Sequence, residues 1–269
     1  MEHGVSWFSF LPGFRQLEAY FAHTHTGALG GTPMLQHVAA ALLVALVVLI
    51  MSSRVRADLD QAPDGGLIPD ANLTIRNVFE VIFEALYGQM KSIIGPECKT
   101  YFPVIGTLTL FILFSNLLGM IPGFTPPTDN WNTTFACSII VFLYYNFHGL
   151  RAQGWGHIAH MANPAGTPSG WFLAPLMFPI ELVSHFARPL SLGVRLATNM
   201  VADHAVLGTF LGLLPILIPL PFMLLGLMVC VIQTVVFVLL TMVYIGMSVQ
   251  DSHVDHDEHN HSHTASAAV

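Results

Sequence analysis

PIELVSHFARPLSLGVRLATNMVADHAVLG, residues 179–208, places ionisable and amide side chains within an otherwise apolar stretch. Such a run predicts a helix surrounded by lipid or by other apolar helices. A charge at the bilayer centre costs about 2.5–3.5 kcal/mol on insertion scales, so charged residues there usually face protein or water and serve a function. The polar members are Glu181, His185, Arg188, Arg195, Asn199, Asp203 and His204.

The composition of the whole chain also indicates a membrane protein. Of its 269 residues, 54% are hydrophobic and 9% are charged, whereas soluble domains carry about 25% charged residues. The formal net charge is -7, and the nine Lys and Arg residues are too few for a nucleic-acid-binding surface. Three widely spaced cysteines form neither a CxxC motif nor an even disulfide framework. We therefore expect no nucleic-acid partner, no bound metal and no cofactor.

Apolar runs near the length of a bilayer span recur along the chain. We predict an all-α polytopic membrane domain over residues 34–250, after an outer-facing segment over 1–33 and before a disordered His/Asp-rich cytoplasmic tail over 251–269. Five helices are expected to cross the membrane, with an amphipathic sixth lying on its surface at 73–91. The crossing helices are predicted at about 34–52, 101–120, 134–150, 171–212 and 222–249.

The Lys and Arg residues predict the orientation of these helices. Five of the nine lie between the first and second spans, and another, Arg151, follows the third span. The loops at 121–133 and 213–221 contain none. We therefore expect the N-terminus outside and the C-terminus in the cytoplasm.

The polar residues of 179–208 share one helical face. Each residue of a helix is rotated by about 100° from the one before it. Viewed down the axis, most of the polar residues from Glu181 to Asp203 then lie within an arc about 100° wide, and His204 lies about 100° away from that arc. The last apolar run carries a weaker polar face with Gln233 as its one amide. We expect these two helices to pack as a hairpin with a hydrophilic seam.

Arg195 divides the titratable residues by depth. Glu181 and His185 precede it, and Asn199, Asp203 and His204 follow it. Carboxylates and imidazoles can pass protons, whereas an arginine side chain is not deprotonated in proteins. The order predicts two half-paths separated by a fixed cation.

Four segments resemble the subunit a family of F-type ATP synthases, of the bacterial type. The resemblance covers about residues 70–250, and the four segments occur in the family's order. The segments are GPECKTYFPVIGTLTLFILFSN at 95–116, NLLGMIPGFTPPTDNWNTT at 116–134, RPLSLGVRLATNM at 188–200 preceded by PIEL, and VIQTVVFVLLTMVYIGMS at 231–248.

The resemblance implies a stator proton-channel subunit that is not an enzyme by itself. Its implied partners are the rotor c-ring, the peripheral-stalk b subunits, the rest of the F1Fo ATP synthase and the lipid bilayer, and its implied location is the bacterial inner membrane. Two long, tilted helices would then lie against the rotor ring. Phosphoryl transfer would occur in other subunits, since the chain has no GxxxxGK[ST] phosphate loop.

The resemblance also assigns roles to single residues. Arg195 matches the essential arginine between the half-channels, Glu181 an inner acidic position, and Asn199 and Gln233 outer polar positions. Many bacterial members carry Glu where this chain has His204 and a His where it has Gly226, so we expect Asp203 and His204 together to supply the outer titratable site. Further candidates for the proton path are Ser184, His185, Ser191 and Tyr244.

Two other functions remain open from the residues alone. A self-contained permease fits the Pro-broken helices, although no internal repeat is visible. A membrane metal enzyme with His boxes is suggested by HxxH at 157–160 and HxH at 261–263. Such an enzyme would need more His residues, clustered near one membrane face.

Overall fold

Six α-helices make up almost all of the described chain. A computed structural model describes residue 16 and residues 35–61, 74–121, 123–153, 174–213 and 219–266. No strand occurs in these ranges, which confirms the all-α class. The helices are α1 (Leu35–Gln61), α2 (Ile75–Ile93), α3 (Cys98–Leu118), α4 (Trp131–Gln153), α5 (Ala174–Leu213) and α6 (Pro219–Ser266), with a 3-10 turn at Pro127–Asp129.

The helices extend beyond the apolar runs at several ends. α1 continues past residue 52 to Gln61, through a charged sequence that contains no Gly or Pro. α6 is helical through Ser266, whereas the sequence predicted a tail without regular structure from residue 251. This extension also lacks Gly and Pro, so nothing in its backbone chemistry ends the helix. Most of the 1–33 segment and the HxxH motif at 157–160 lie outside the described residues.

α2 has two apolar faces. The Thr74 hydroxyl accepts a hydrogen bond from the backbone N–H of Asn77 at its N-terminus, and Gly95 follows its C-terminus at φ 94°, a conformation that favours glycine. One face buries Phe79, Leu86 and Met90 against the rest of the protein. The other exposes Ile75, Val78 and Val81. An exposed apolar row on a helix that also carries charged residues is typical of a helix at a membrane surface.

Four of the described helices are long and apolar enough to cross a membrane: α1, α3, α4 and the 220–248 part of α6. α5 is not among them, because Glu181, Arg188, Arg195 and Asp203 interrupt its apolar sequence. Large apolar side chains remain exposed on the spans, including Leu42 at 67% and Leu49 at 67%. Together these features identify an all-α polytopic membrane protein.

α3, α4, α5 and α6 surround a common core, and α6 contacts the other three. Residues from all four helices are fully or almost fully buried in it, among them Ile105, Tyr145, Leu196 and Phe237. α1 packs outside this core, mainly against α3, whereas α2 also packs against α3 and adds Leu86 and Met90 to the core. α4 and α6 are the helices that pack most closely against α5, which carries the polar residues of 179–208.

Candidate functional site

α5 and α6 run antiparallel in a regular register. The rings of Phe210 and Phe222 stack with centroids 4.2 Å apart, and Asn199 Nδ2 donates a hydrogen bond to Gln233 Oε1 at 2.5 Å. The third contact places Arg188 Cζ 5.7 Å from the ring centroid of Tyr244. From 188 to 199 to 210 on α5, and from 244 to 233 to 222 on α6, each step is eleven residues, or about three turns. The two helices therefore form one continuous seam, as the predicted hairpin requires.

Arg195 lies outside this seam. Its side chain is exposed on the outer surface of α5, together with Ser191 and Thr198 one turn away on either side. Within the described ranges its guanidinium forms no ion pair and no hydrogen bond. An arginine without a carboxylate on an apolar helix presents a charge that a partner molecule can neutralise. We call the part of α5 before Arg195 the Glu181 half and the part after it the Asp203 half.

A cavity of about 240 Å³ opens in the Asp203 half, between α5, α6 and the end of α3. Asp203 and His204 both line it, with Gly226 and Cys230 on the α6 side. The imidazole of His204 lies directly against Gly119, since a Cβ atom built there would be 2.8 Å from His204 Nε2. Asp203 and His204 thus share one cavity, although they point from different sides of the helix.

A buried polar network closes this cavity from the α3 side. Asn116 is fully buried, and its side chain accepts a hydrogen bond from Thr128 Oγ1 at 2.9 Å and donates one to Thr234 Oγ1 at 3.4 Å. Cys230 Sγ donates to the backbone carbonyl of Asn116 at 3.5 Å. The network joins α3, the turn at Pro127–Asp129 and α6, so it fixes the walls of the cavity.

Several buried side-chain polar atoms in the described residues lack a hydrogen-bond partner, and Asp203 Oδ2 is among them at the cavity itself. In the part of the chain that the structure describes, they are Ser115 Oγ, Thr125 Oγ1, Asp203 Oδ2 and Gln233 Nε2. Buried polar groups are normally paired, and a cavity with several unpaired ones is a suitable site for ordered water. The Asp203 half can therefore hold water next to a carboxylate and an imidazole.

The Glu181 half is more closely packed. His185 is buried, and its Nε2 lies 2.7 Å from Asn146 Oδ1 and 3.4 Å from the Tyr145 hydroxyl, both on α4. Asn146 Nδ2 donates to the Phe142 carbonyl at 2.7 Å, which leaves Oδ1 as the acceptor. His185 Nε2 therefore carries the proton in this contact.

An ion pair lies on the same half of α5. Arg188 Nη2 is 3.6 Å from Glu181 Oε1, and the two side chains are 21% and 39% exposed. Glu181 thus retains contact with the surroundings while it is held near a cation. Ser184 is exposed nearby, and Tyr244 is half-buried beneath Arg188.

A family model described as ATP synthase A chain matches residues 34–246. The chain belongs to the ATP synthase subunit a family. It is 39% identical over 245 residues to an ATP synthase subunit a of Sorangium cellulosum (strain So ce56), covering 89% of this chain and 92% of the relative. It is 42% identical over 218 residues to one of Bdellovibrio bacteriovorus, covering 81% and 93%. A third relative, from Geobacter sulfurreducens, is 42% identical over 216 residues, covering 80% and 88%.

Membership of the ATP synthase subunit a family confirms the resemblance carried by the four sequence segments. The chain is a non-catalytic, multi-pass subunit of the F-type ATP synthase stator in a bacterial inner membrane. The family assignment decides against the self-contained permease and the His-box metal enzyme.

The structure separates the predicted site residues of this subunit a into three surroundings. The Asp203 half contains Asn199, Gln233, Asp203 and His204. The Glu181 half contains Glu181, His185 and Tyr244. Arg195 is exposed between the two halves, and Ser184 and Ser191 are also at the surface. The sequence did not predict that Asn116, Thr128, Thr234, Tyr145 and Asn146 would join these groups. The resembling segments at 95–134 and 231–248 contain Asn116, Thr128 and Thr234, but the resemblance gave these residues no role. Nothing in the sequence singled out Tyr145 or Asn146. Among the residues with described side chains, no three His, Cys, Asp or Glu groups are placed to hold a metal ion.

Proposed function

We propose that this chain provides two proton half-channels, separated by Arg195, that load and unload protons on carboxylates of a rotor c-ring. Proton flow would thereby be coupled to rotation and to ATP synthesis in other subunits. The electrical part of the driving force is about 2.3 kcal/mol per proton for each 100 mV. The observation that carries the proposal is the exposed guanidinium of Arg195, which has no described carboxylate partner and lies between two groups of polar residues.

The outer half-channel is assigned to the Asp203 half. Its cavity, its unpaired polar atoms and the Asn199–Gln233 hydrogen bond support a hydrated path that leads from Asp203 and His204 toward Arg195. In this chain Asp203 and His204 take the place of the Glu and His pair that many bacterial members carry. The absence of a side chain on Gly226 leaves room for the cavity beside them.

The inner half-channel is assigned to the Glu181 half. Glu181 is 39% exposed and can exchange a proton with water, and Ser184 is exposed one turn further along the helix. Arg195 would attract each deprotonated rotor carboxylate, while its permanent charge would stop protons from passing directly between the two half-channels.

The proposal includes an orientation in the membrane and specific partners. The positive-inside pattern supports an N-terminus outside and a C-terminus in the cytoplasm, with α2 on the cytoplasmic surface. The exposed face of α5 around Arg195 carries the small residues Ser191, Thr198 and Ala202, which permit a rotor helix to approach closely. α5 and α6 would lie tilted along the ring, and the peripheral-stalk b subunits would hold the chain in place.

ATP-driven proton pumping in inverted membrane vesicles tests this function. We expect Arg195→Ala to abolish pumping while the complex still contains normal amounts of the chain and of the rotor ring. The matched control is Gly208→Ala, because a Cβ atom at Gly208 meets no neighbour within 4 Å. Normal coupled pumping by the Arg195 variant would refute the role of Arg195 as the separator.

A further inference from the structure

Close to Arg195, α5 contains a break in its backbone hydrogen bonding. Pro189 lies inside the helix, and because proline has no backbone N–H, the helical hydrogen bond from position 189 to position 185 is not made. Arg195 follows Pro189 by less than two turns. The position of Arg195 relative to the rest of the protein therefore depends on what holds α5 at this break.

Two side chains in the turn before Pro189 connect the break to different helices. His185 is buried against α4, where its Nε2 donates to Asn146 Oδ1 at 2.7 Å and its ring contacts Tyr145 edge-on at 5.3 Å. Arg188 reaches the other way, over the Tyr244 ring of α6. The hydrogen bond of His185 is the shorter of these contacts and is shielded from the surroundings.

We infer that His185 is a positioning residue, whose hydrogen bond to Asn146 holds α5 against α4 at the Pro189 break and so determines where Arg195 stands. This inference rests on the proposed function, because the consequence for pumping follows from the role of Arg195. A side-chain hydrogen bond between helices compensates for the backbone hydrogen bond that Pro189 removes. His185 would therefore contribute through geometry and would not need to carry protons itself.

The distance between spin labels on the two helices tests this directly in the purified ATP synthase complex. The labels are placed at Leu190→Cys on α5 and Leu143→Cys on α4, both of which are exposed in the isolated chain, at 54% and 60%. Cys98, Cys137 and Cys230 are replaced beforehand. We expect His185→Leu to shift and broaden the distance distribution measured by dipolar EPR. The control Thr209→Val, which removes a hydrogen bond made only within α5, should leave the distribution unchanged.

Two further variants separate positioning from simple packing. His185→Gln keeps an N–H donor for Asn146 and should restore the original distance. Pro189→Ala restores the missing backbone N–H, so in that background His185→Leu should change the distance much less. Equal effects of His185→Leu with and without Pro189, or no rescue by His185→Gln, would overturn the inference.

Proton pumping by the same complexes connects this position to function. We expect a several-fold loss of ATP-driven pumping in His185→Leu and near-normal pumping in His185→Gln. The label distances decide whether His185 positions α5, and Arg195→Ala decides the proposed function, so each can fail without the other. Should His185→Gln keep the native distance and yet lose pumping, His185 would act on protons directly, and the inference that it contributes to pumping through geometry alone would be refuted.

Discussion

Asn199 Nδ2 donates a hydrogen bond to Gln233 Oε1 at 2.5 Å, midway between the Phe210–Phe222 and Arg188–Tyr244 contacts that join the same two helices. Because the three contacts repeat every eleven residues, each constrains the register of the other two. The amide pair is the one direct side-chain hydrogen bond between α5 and α6 in the described ranges. In this pair, the other amide atom of Gln233, Nε2, is buried and has no hydrogen-bond partner among the described residues.

Gln233→Leu removes this hydrogen bond and the buried amide together. Hydrogen bonds between membrane helices contribute about 0.6 kcal/mol on average and up to about 1.7 kcal/mol, so we expect a modest loss of thermal stability. The effect on ATP-driven pumping should be larger, several-fold or more, because the amide also supports the proposed outer path. Both quantities can be measured on the same purified complex.

The control for this change is Val235→Leu, an apolar exchange at an exposed position half a turn away on α6. It should leave pumping unchanged. If Asn199→Leu and Gln233→Leu act through their shared hydrogen bond, the double variant should be little worse than either single variant. Fully additive losses would show that the two amides act independently.

Gly119→Ala should displace His204. The new Cβ atom would lie 2.8 Å from His204 Nε2 and 2.9 Å from Pro126 Cγ, both closer than real Cβ contacts. Overpacking of this kind typically costs about 1–3 kcal/mol. We expect lower thermal stability of the complex and reduced pumping, whereas the control Gly88→Ala, with no neighbour within 4 Å of the new Cβ atom, should lower neither.

A second substitution tests whether the clash with His204 is the cause. His204→Ala in the Gly119→Ala background removes the imidazole and should recover part of the lost stability. Recovery will be partial, since the contact with Pro126 remains. If His204→Ala recovers none of the stability, the His204 contact is not what limits residue 119 to glycine.

Asp203 and His204 should be jointly required for pumping. Asp203→Asn with His204→Ala leaves the cavity without a titratable carboxylate or imidazole, so we expect proton pumping to fall to background. Either single variant should retain partial activity, because one titratable group remains. Unchanged pumping in the double variant would mean that the outer path does not pass through this cavity.

The sequence predicted the all-α class and the grouping of polar residues on α5 because both depend on local patterns. The length of an apolar run indicates a membrane helix, and helical spacing indicates which residues share a face. The sequence did not predict that α1 extends to Gln61 and α6 to Ser266. Hydropathy indicates where contact with lipid ends, but a helix can continue beyond that point.

Contacts between helices were harder to predict from these patterns. A face about 100° wide on α5 can contact two neighbouring helices and also reach the outer surface. The shared face therefore could not predict that Arg195 is exposed while Asn199 contacts α6 and His185 contacts α4. Asn146 gave no signal either, because a single amide in an apolar helix does not reveal its partner. Its contact with His185 depends on how α4 crosses α5, which is a tertiary property.

Gly193 lies two residues before Arg195, and its missing side chain lets α4 and α5 approach closely there. A Cβ atom there would lie 2.9 Å from Oγ of the fully buried Ser138 and 3.1 Å from Cδ1 of the half-buried Phe135, both on α4. We expect Gly193→Ala to destabilise the complex by about 1–3 kcal/mol. Pumping should also fall, because the two helices would be pushed apart beside Arg195.

Thermal release of the chain from the purified complex measures the stability change, and Gly208→Ala, on the same helix, is the matched control. Ser138→Ala removes the nearest contact and should return part of the stability to Gly193→Ala. A Gly193→Ala complex as stable as the control would show that α4 can move aside without cost. The approach of α4 would then not fix Arg195, and the constraint would have to come from α6 alone.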